Sequence, residues 1–174
     1  MNRDGGGEGG RWREGEFMRG SEKVVGELNR ALSAELTAIV QYMVQAEMCQ
    51  SWGYKALAAQ TKKRAIEEMH HAEGLIERIL FLEGKPAVET ALKPTIGDNV
   101  KAQLELDLHD EADAVKQYNA AMAVCTKEGD NGTRELFLKM IHDEERHADY
   151  LETQLGLMGT LGIQNYLSGQ LQGG

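Results

Sequence analysis

Residues 67–75 read EEMHHAEGL and residues 143–151 read DEERHADYL. Each holds a Glu-x-x-His, Glu68 with His71 and Glu144 with His147, and the two copies lie 76 residues apart. On a helix, positions i and i+3 share a face, so each pair projects both side chains the same way. One such pair usually marks a solvated face. Two at a fixed offset call for a wider comparison. Residues 32–75 and 108–151, aligned at that offset without a gap, agree at 12 of 44 positions, against roughly three expected by chance from composition. The matches include Leu32/Leu108, Glu35/Glu111, Tyr42/Tyr118, Cys49/Cys125 and Gly53/Gly129. The chain therefore reads as two related halves, and an ungapped duplication predicts an approximate two-fold axis between them.

Outward from the motifs the pattern is helical. Val24, Val25, Leu28, Leu32, Leu36, Ile39, Val40 and Met43 recur at helical spacing, with Ser21 and Glu22 as cap and first-turn acid. Breaks at Ser51-Trp52-Gly53, at Gly84 and at Gly129-Asp130-Asn131-Gly132 predict helices over about 21–50, 54–83, 98–127 and 133–158, with a short fifth over 161–167. Both prolines, Pro86 and Pro94, fall between the second and third helices, and the rest of the chain has none to interrupt a helix. Two short connections and one long one describe two antiparallel hairpins joined by a crossover. Residues 1–20, with seven glycines, read as a flexible leader, and residues 21–174 as one domain.

The chain has 174 residues and 41% hydrophobic content, enough for one ordinary core. No apolar run is long enough for a membrane span, and the leader lacks an apolar signal core, so a cytoplasmic protein with no membrane partner is expected. A net charge of −9 argues against a nucleic-acid partner. Two cysteines supply neither a disulfide framework nor a four-thiolate site; Cys49 and Cys125 read as packing thiols. His70, His109 and His142 fall off the motif face and read as solvated or interface residues.

Glu35 and Glu111 each lie among apolar residues, 33 positions before Glu68 and Glu144. Six ligand-type side chains from four helices, Glu35, Glu68, His71, Glu111, Glu144 and His147, are thus expected to converge in the core. Buried carboxylates need neutralising, and four of them match the charge of two divalent cations. Oxygen-rich ligation with two imidazoles suits Fe or Mn, with Zn as an impostor.

At these residues the chain resembles the bacterioferritins. The resemblance runs from Met18 to the C-terminus and is carried by AELTAIVQY around Glu35, EEMHHAE around Glu68, IERILFLEGKP after it, DEERHADYLETQL around Glu144, and the closing GIQNYL. It implies an all-α fold, a ferritin-like four-helix bundle with one long crossover plus a short C-terminal fifth helix. It implies a homo-oligomer, a hollow 24-subunit cage built from two-fold dimers. It implies two iron ions per subunit, a ferroxidase activity on Fe(II) with O2 or H2O2 as oxidant, storage of ferric mineral, and a ferredoxin as electron donor. By position, Glu68 and Glu144 become bridging ligands, Glu35 and Glu111 terminal carboxylates, His71 and His147 nitrogen ligands, and Tyr42, two turns beyond Glu35, an electron donor. The resemblance also singles out Met69 as axial ligand to a haem b shared by two subunits. Met69 lies about 100° around the helix from Glu68 and about 160° from His71, so it faces away from the bundle centre; soft packing at an interface is its other reading. Four positions depart from the family pattern. Lys63 stands where an iron-binding His is common, Tyr150 where Trp is common near the second Glu-x-x-His, and Val40 and Met43 where Asn and Phe are common near the haem. Two alternatives stay open at this point: a non-catalytic haem-binding cage subunit, and a di-iron peroxidase or oxidase without storage.

Overall fold

Ser21 opens helix α1 (Glu22–Ser51), its hydroxyl accepting the Lys23 N–H at 3.3 Å. Helix α1 leads through Trp52-Gly53-Tyr54 into α2 (Lys55–Phe81). After the crossover, Asn99 caps α3 (Val100–Glu128), which turns through Gly129-Asp130 into α4 (Asn131–Leu161); α5 (Ile163–Ser168) closes the chain. The computed structural model describes residues 19–88 and 93–171. The glycine-rich leader expected over residues 1–20 lies outside the described residues, apart from Arg19 and Gly20.

The element boundaries follow cap chemistry rather than glycine content. Helix α4 begins at Asn131, inside the segment expected to be all turn, because the Asp130 side chain accepts the Thr133 N–H at 2.9 Å and caps it there. It also runs to Leu161, past 158, carrying Gly156 and Gly159 in its last turns and stopping at Gly162 with φ 76°. Helix α2 ends at Phe81, short of 83, because Glu83 adopts φ 57° and the Gly84 N–H returns to Ile79 O at 2.8 Å.

The duplication extends into the turns. Gly53 and Gly129 both adopt left-handed φ, 87° and 75°. Tyr54 N–H donates to Cys49 O and Asp130 N–H to Cys125 O, each at 2.9 Å. All three pairs are related by the same 76-residue offset, so one hairpin turn is built twice.

Helices α1 and α2 pack as one antiparallel hairpin, α3 and α4 as the other, and the hairpins meet along α1–α3 and α2–α4. The apolar core is divided. At one end Val24, Leu28, Leu32, Leu75, Ile79, Phe137 and Met140 pack together. At the other, Leu57, Val100, Leu104, Leu151 and Met158 pack with Tyr166 of α5, whose hydroxyl donates to Gln154 Oε1. Between these clusters lies a buried polar layer containing Glu35, Glu68, Glu111, Glu144 and His147. Among the described residues, no helix is long and apolar enough to cross a membrane.

The crossover lies against α1. Asn29 bonds Lys85 O and the Ala87 N–H, and Gln41 Oε1 accepts the Thr95 N–H. It then passes Gly97, where an added Cβ would lie 2.5 Å from Gln103 N and 2.7 Å from Ala102 C. Backbone opposes that Cβ, so nothing flexible is there to give way. Gly97→Ala is expected to destabilise the fold by about 1–3 kcal/mol, read as a lowered melting temperature; an unchanged value would show that the crossover is not held this closely.

Candidate metal centre

Four helices each bring one register of side chains to the polar layer. Glu35 comes from α1, Glu68 and His71 from α2, Glu111 from α3, and Glu144 and His147 from α4. All four carboxylates and His147 are at most 4% exposed, and the His71 side chain is 10% exposed. The ligand-type atoms fall into two groups, Glu35-Glu68-His71-Glu144 and Glu68-Glu111-Glu144-His147, with all atoms of each group within 4.8 Å of one another. Glu68 and Glu144 belong to both.

The groups correspond residue for residue at the 76-residue offset. His71 Nδ1 lies 3.0 Å from Glu68, 3.2 Å from Glu144 and 3.7 Å from Glu35. His147 Nδ1 lies 2.9 Å from Glu144, 3.4 Å from Glu68 and 3.7 Å from Glu111. Both rings aim Nδ1 inward and turn Nε2 toward a carboxylate of the opposite hairpin. His71 Nε2 hydrogen-bonds Asp143 at 3.2 Å, whereas His147 Nε2 lies 3.3 Å from Glu67 without a hydrogen bond to it. An imidazole held by a carboxylate on its far nitrogen, as His71 is, is oriented and made more basic as a metal ligand.

The tyrosines cross in the same way. Tyr42 O–H donates to Glu111 Oε1 at 2.6 Å, and Tyr118 O–H donates to Glu35 Oε1. Tyr42 thus serves the Glu of the other hairpin, not Glu35 on its own helix. Tyr118, its match in the duplication, occupies the corresponding place. Sequence reasoning passed over Glu67, Asp143 and Arg64. The first two carried a signal, an acid–acid pair at the 76-residue offset immediately before each motif Glu. Arg64 sits one turn before Glu68, on the same face; it is 6% exposed and donates from Nη1 to Glu111 Oε1 at 2.8 Å. A second buried network adjoins on one side only, where Asp107 accepts from Gln41 and Gln45.

Met69 takes no part in this layer. It is 41% exposed, on the outside of α2. His70, His109 and His142 are exposed, and Cys49 and Cys125 are buried free thiols.

The residues fit a pair of cations. Both oxygens of Glu68 and His71 Nδ1 are buried without a hydrogen-bond partner, a costly state that a coordinated ion would relieve. Electrostatics agree. Burial pushes the Glu35 carboxyl up to about 8, with Glu68 and Glu144 adding to the effect against His71. Burial likewise raises Glu68. Burial works against charging His71, but Glu144, Glu35 and Glu68 outweigh it and hold the imidazole well above its ordinary value. Burial also opposes His147, which Glu111 and Glu144 nonetheless lift to about 9. Glu111 alone among the shifted ligand carboxylates is held low, because His147, Glu144 and Arg64 overcome its burial. Two openings reach the layer: a cavity of about 390 Å³ between α1 and α3, touching Glu35, Glu68, Glu111 and Glu144, and one of about 230 Å³ between α2 and α4, touching His71 and His147.

These shifts set the pH response of the metal-free protein. Glu35 rises from 4.5 to about 8, and burial raises Asp107 from 3.8 to about 7. Between those limits the native chain keeps protons that the unfolded chain has lost, so stability falls as pH rises. His71 and His147, raised above 6.5, act in the same sense at higher pH. Carboxylates held low, such as Asp130 and Asp143, stabilise only as pH climbs through lower values. The metal-free protein should therefore melt at a lower temperature near pH 8 than near about pH 5.5, and a divalent cation should reduce the difference. A melting temperature that rises across this window would contradict the charge state described.

Comparison with known proteins places the chain. The ferritin family, by its ferritin-like domain, matches residues 25–160. The bacterioferritin of Brucella melitensis biotype 1 is 45% identical over 154 residues, covering 88% of this chain and 94% of that protein. That of Rhodobacter capsulatus is 43% identical over 149 residues, covering 86% and 92%. That of Mycolicibacterium paratuberculosis is 40% identical over 149 residues, covering 86% and 94%. A duplicated four-helix bundle with one long crossover, a short fifth helix and this extent of identity over nearly the whole of these relatives makes the chain a member of the bacterioferritin family within the ferritin-like proteins.

Proposed function

We propose that the chain is an iron-storage protein and a ferroxidase, which oxidises Fe(II) at the buried centre and keeps the ferric product as mineral inside a cage. The observation that carries this is the sharing of Glu68 and Glu144 by two four-residue groups, each completed by its own Glu and His. Two adjacent cations with two carboxylates between them satisfy that geometry, and the four carboxylates balance their charge. Glu68 and Glu144 would serve both ions, Glu35 and Glu111 one each, and His71 and His147 would supply nitrogen.

Two Fe(II) ions bound as substrate give up two electrons to one oxidant; with H2O2, two protons are taken up and two waters leave. Hard carboxylate donors favour the ferric product. The protein's part is to hold the ions in register, exclude bulk water, and handle protons at Glu35 and the imidazoles. Tyr42, donating to Glu111 with the Arg64 guanidinium 5.9 Å from its ring centroid, is positioned to supply a further electron. The proposed assembly is a 24-subunit cage of two-fold dimers in the cytoplasm, supplied by a ferredoxin for iron release. Its negative charge of −9 per chain would draw cations inward.

Haem b between two subunits belongs to the same reading. Other apolar side chains are exposed on the same hairpin: Ile66 one turn before Met69 on α2, and Val40, Met43 and Val44 on α1. The Glu47–Lys62 pair sets an antiparallel register that brings Val40 about level with Met69 and Met43 with Ile66. An exposed thioether with apolar side chains near it would suit a haem held between two subunits by Met69 of each, a group that supplies electron transfer when bound.

Stopped-flow oxidation of Fe(II) by the purified assembly tests the first claim. Glu68→Ala and His71→Ala should each abolish the fast phase while helicity is kept, and unaltered rates in both would remove the assignment. For the haem, protein reconstituted with it should take up about one per two chains. Met69→Leu should lose it without slowing iron oxidation; an unchanged haem spectrum in that variant would leave Met69 as packing alone.

A further inference from the structure

The two halves of the metal centre differ at one buried position. Arg64 on α2 and Met140 on α4 are related by the 76-residue offset, and both are buried. Arg64 Nη1 donates to Glu111 Oε1 at 2.8 Å, and its Nε lies 3.8 Å from Glu67, the carboxylate that faces His147 Nε2. The guanidinium is thus hydrogen-bonded to Glu111 and only within ion-pair distance of Glu67. On the His71 side the equivalent residue is an uncharged thioether, and Glu35 accepts from Tyr118 without a guanidinium. Arg146, which pairs with Asp143 on that side, is 61% exposed and screened by solvent.

We infer that Arg64 makes the two cation subsites unequal, so that a first divalent ion takes the Glu35–His71 subsite and the Glu111–His147 subsite fills second. This rests on the two-cation reading given above. The bridging carboxylates serve both subsites and cancel from the comparison. What remains is Glu35 against Glu111, and Glu111 already carries a buried positive charge on the oxygen that Tyr42 also uses. A cation entering there is repelled by the guanidinium and must share or displace its hydrogen bond. Arginine does not deprotonate in proteins, so pH offers no relief. The second subsite is consequently the exchangeable one.

Repulsion between two cations would separate two binding steps even in a symmetric centre. The informative quantity is therefore which subsite fills first. The whole assembly, stripped of metal and kept anaerobic, is loaded with one Co(II) per chain, and anomalous scattering from its crystals gives the occupancy beside His71 and beside His147. Occupancy beside His71 should exceed the other by about tenfold or more in the wild type, a difference that Arg64→Met, which copies the equivalent residue of α4, should cut to about twofold. Arg64→Gln, which keeps a donor but not the charge, should do the same and guards against a folding defect in the first variant. In solution titrations followed by Co(II) absorption, Glu35→Ala should weaken the first step by about tenfold or more and Glu111→Ala by less than about threefold. Equal filling in the wild type, or a bias untouched by either Arg64 variant, overturns the inference and leaves the two-cation centre standing. Failure of the wild type to hold Co(II) at either position overturns both.

Discussion

Four carboxylates buried at the middle of a helical bundle are the constraint from which the rest of this structure follows. An isolated ion in such a place costs several kcal/mol even after relaxation. The protein meets that cost in part with Tyr42, Tyr118, Arg64 and two imidazoles. The remainder stays open, since the oxygens of Glu68 have no donor. A core with this layer at its centre cannot be continuous. The apolar residues gather instead at either end, around Leu28, Leu75 and Phe137, and around Leu57, Leu104 and Leu151. Those clusters clamp both ends of helices about thirty residues long, and the clamp holds the ligand side chains in register against their mutual repulsion.

The polar contacts that matter run between hairpins, not within them. Tyr42 on α1 reaches Glu111 on α3, and Tyr118 on α3 reaches Glu35 on α1. His71 on α2 meets Asp143 on α4, and His147 on α4 meets Glu67 on α2. Each hairpin completes the other's ligands. A single hairpin would expose its own Glu and His without orienting them, so the duplicated sequence becomes a site only when the two copies pack.

Symmetry is broken by residues present in one copy only. Asp107 and Gln45 have Ala31 and Ala121 as counterparts, and with Gln41 they form a buried network on the α1–α3 side. Gln41 also receives Thr95, so the same network latches the crossover. Met69 has Glu145 as its counterpart, and with Ile66, Val40, Met43 and Val44 it leaves exposed apolar side chains on the first hairpin. The centre retains the two-fold pattern of ligands, tyrosines and outer carboxylates, while Arg64, Asp107, Gln45 and Met69 set its two halves apart.

Much of this was legible in the residue order. The 76-residue duplication, the two Glu-x-x-His pairs and the long proline-free helices follow from period and spacing, because a helix fixes which residues share a face whatever surrounds it. Cap chemistry was harder to read: the glycines near residue 130 suggested a longer turn, and Asp130 started α4 earlier. Partnership across the bundle was not legible at all. Nothing in the sequence said that Tyr42 serves Glu111 instead of Glu35, that Tyr118 does more than pack, or that Arg64 turns inward to Glu111 while its counterpart Met140 joins the apolar cluster. Those outcomes depend on which helices become neighbours and how far each side chain reaches, quantities that arise only when the hairpins are docked. The sequence determined what each face carries, and the tertiary structure decided which faces meet.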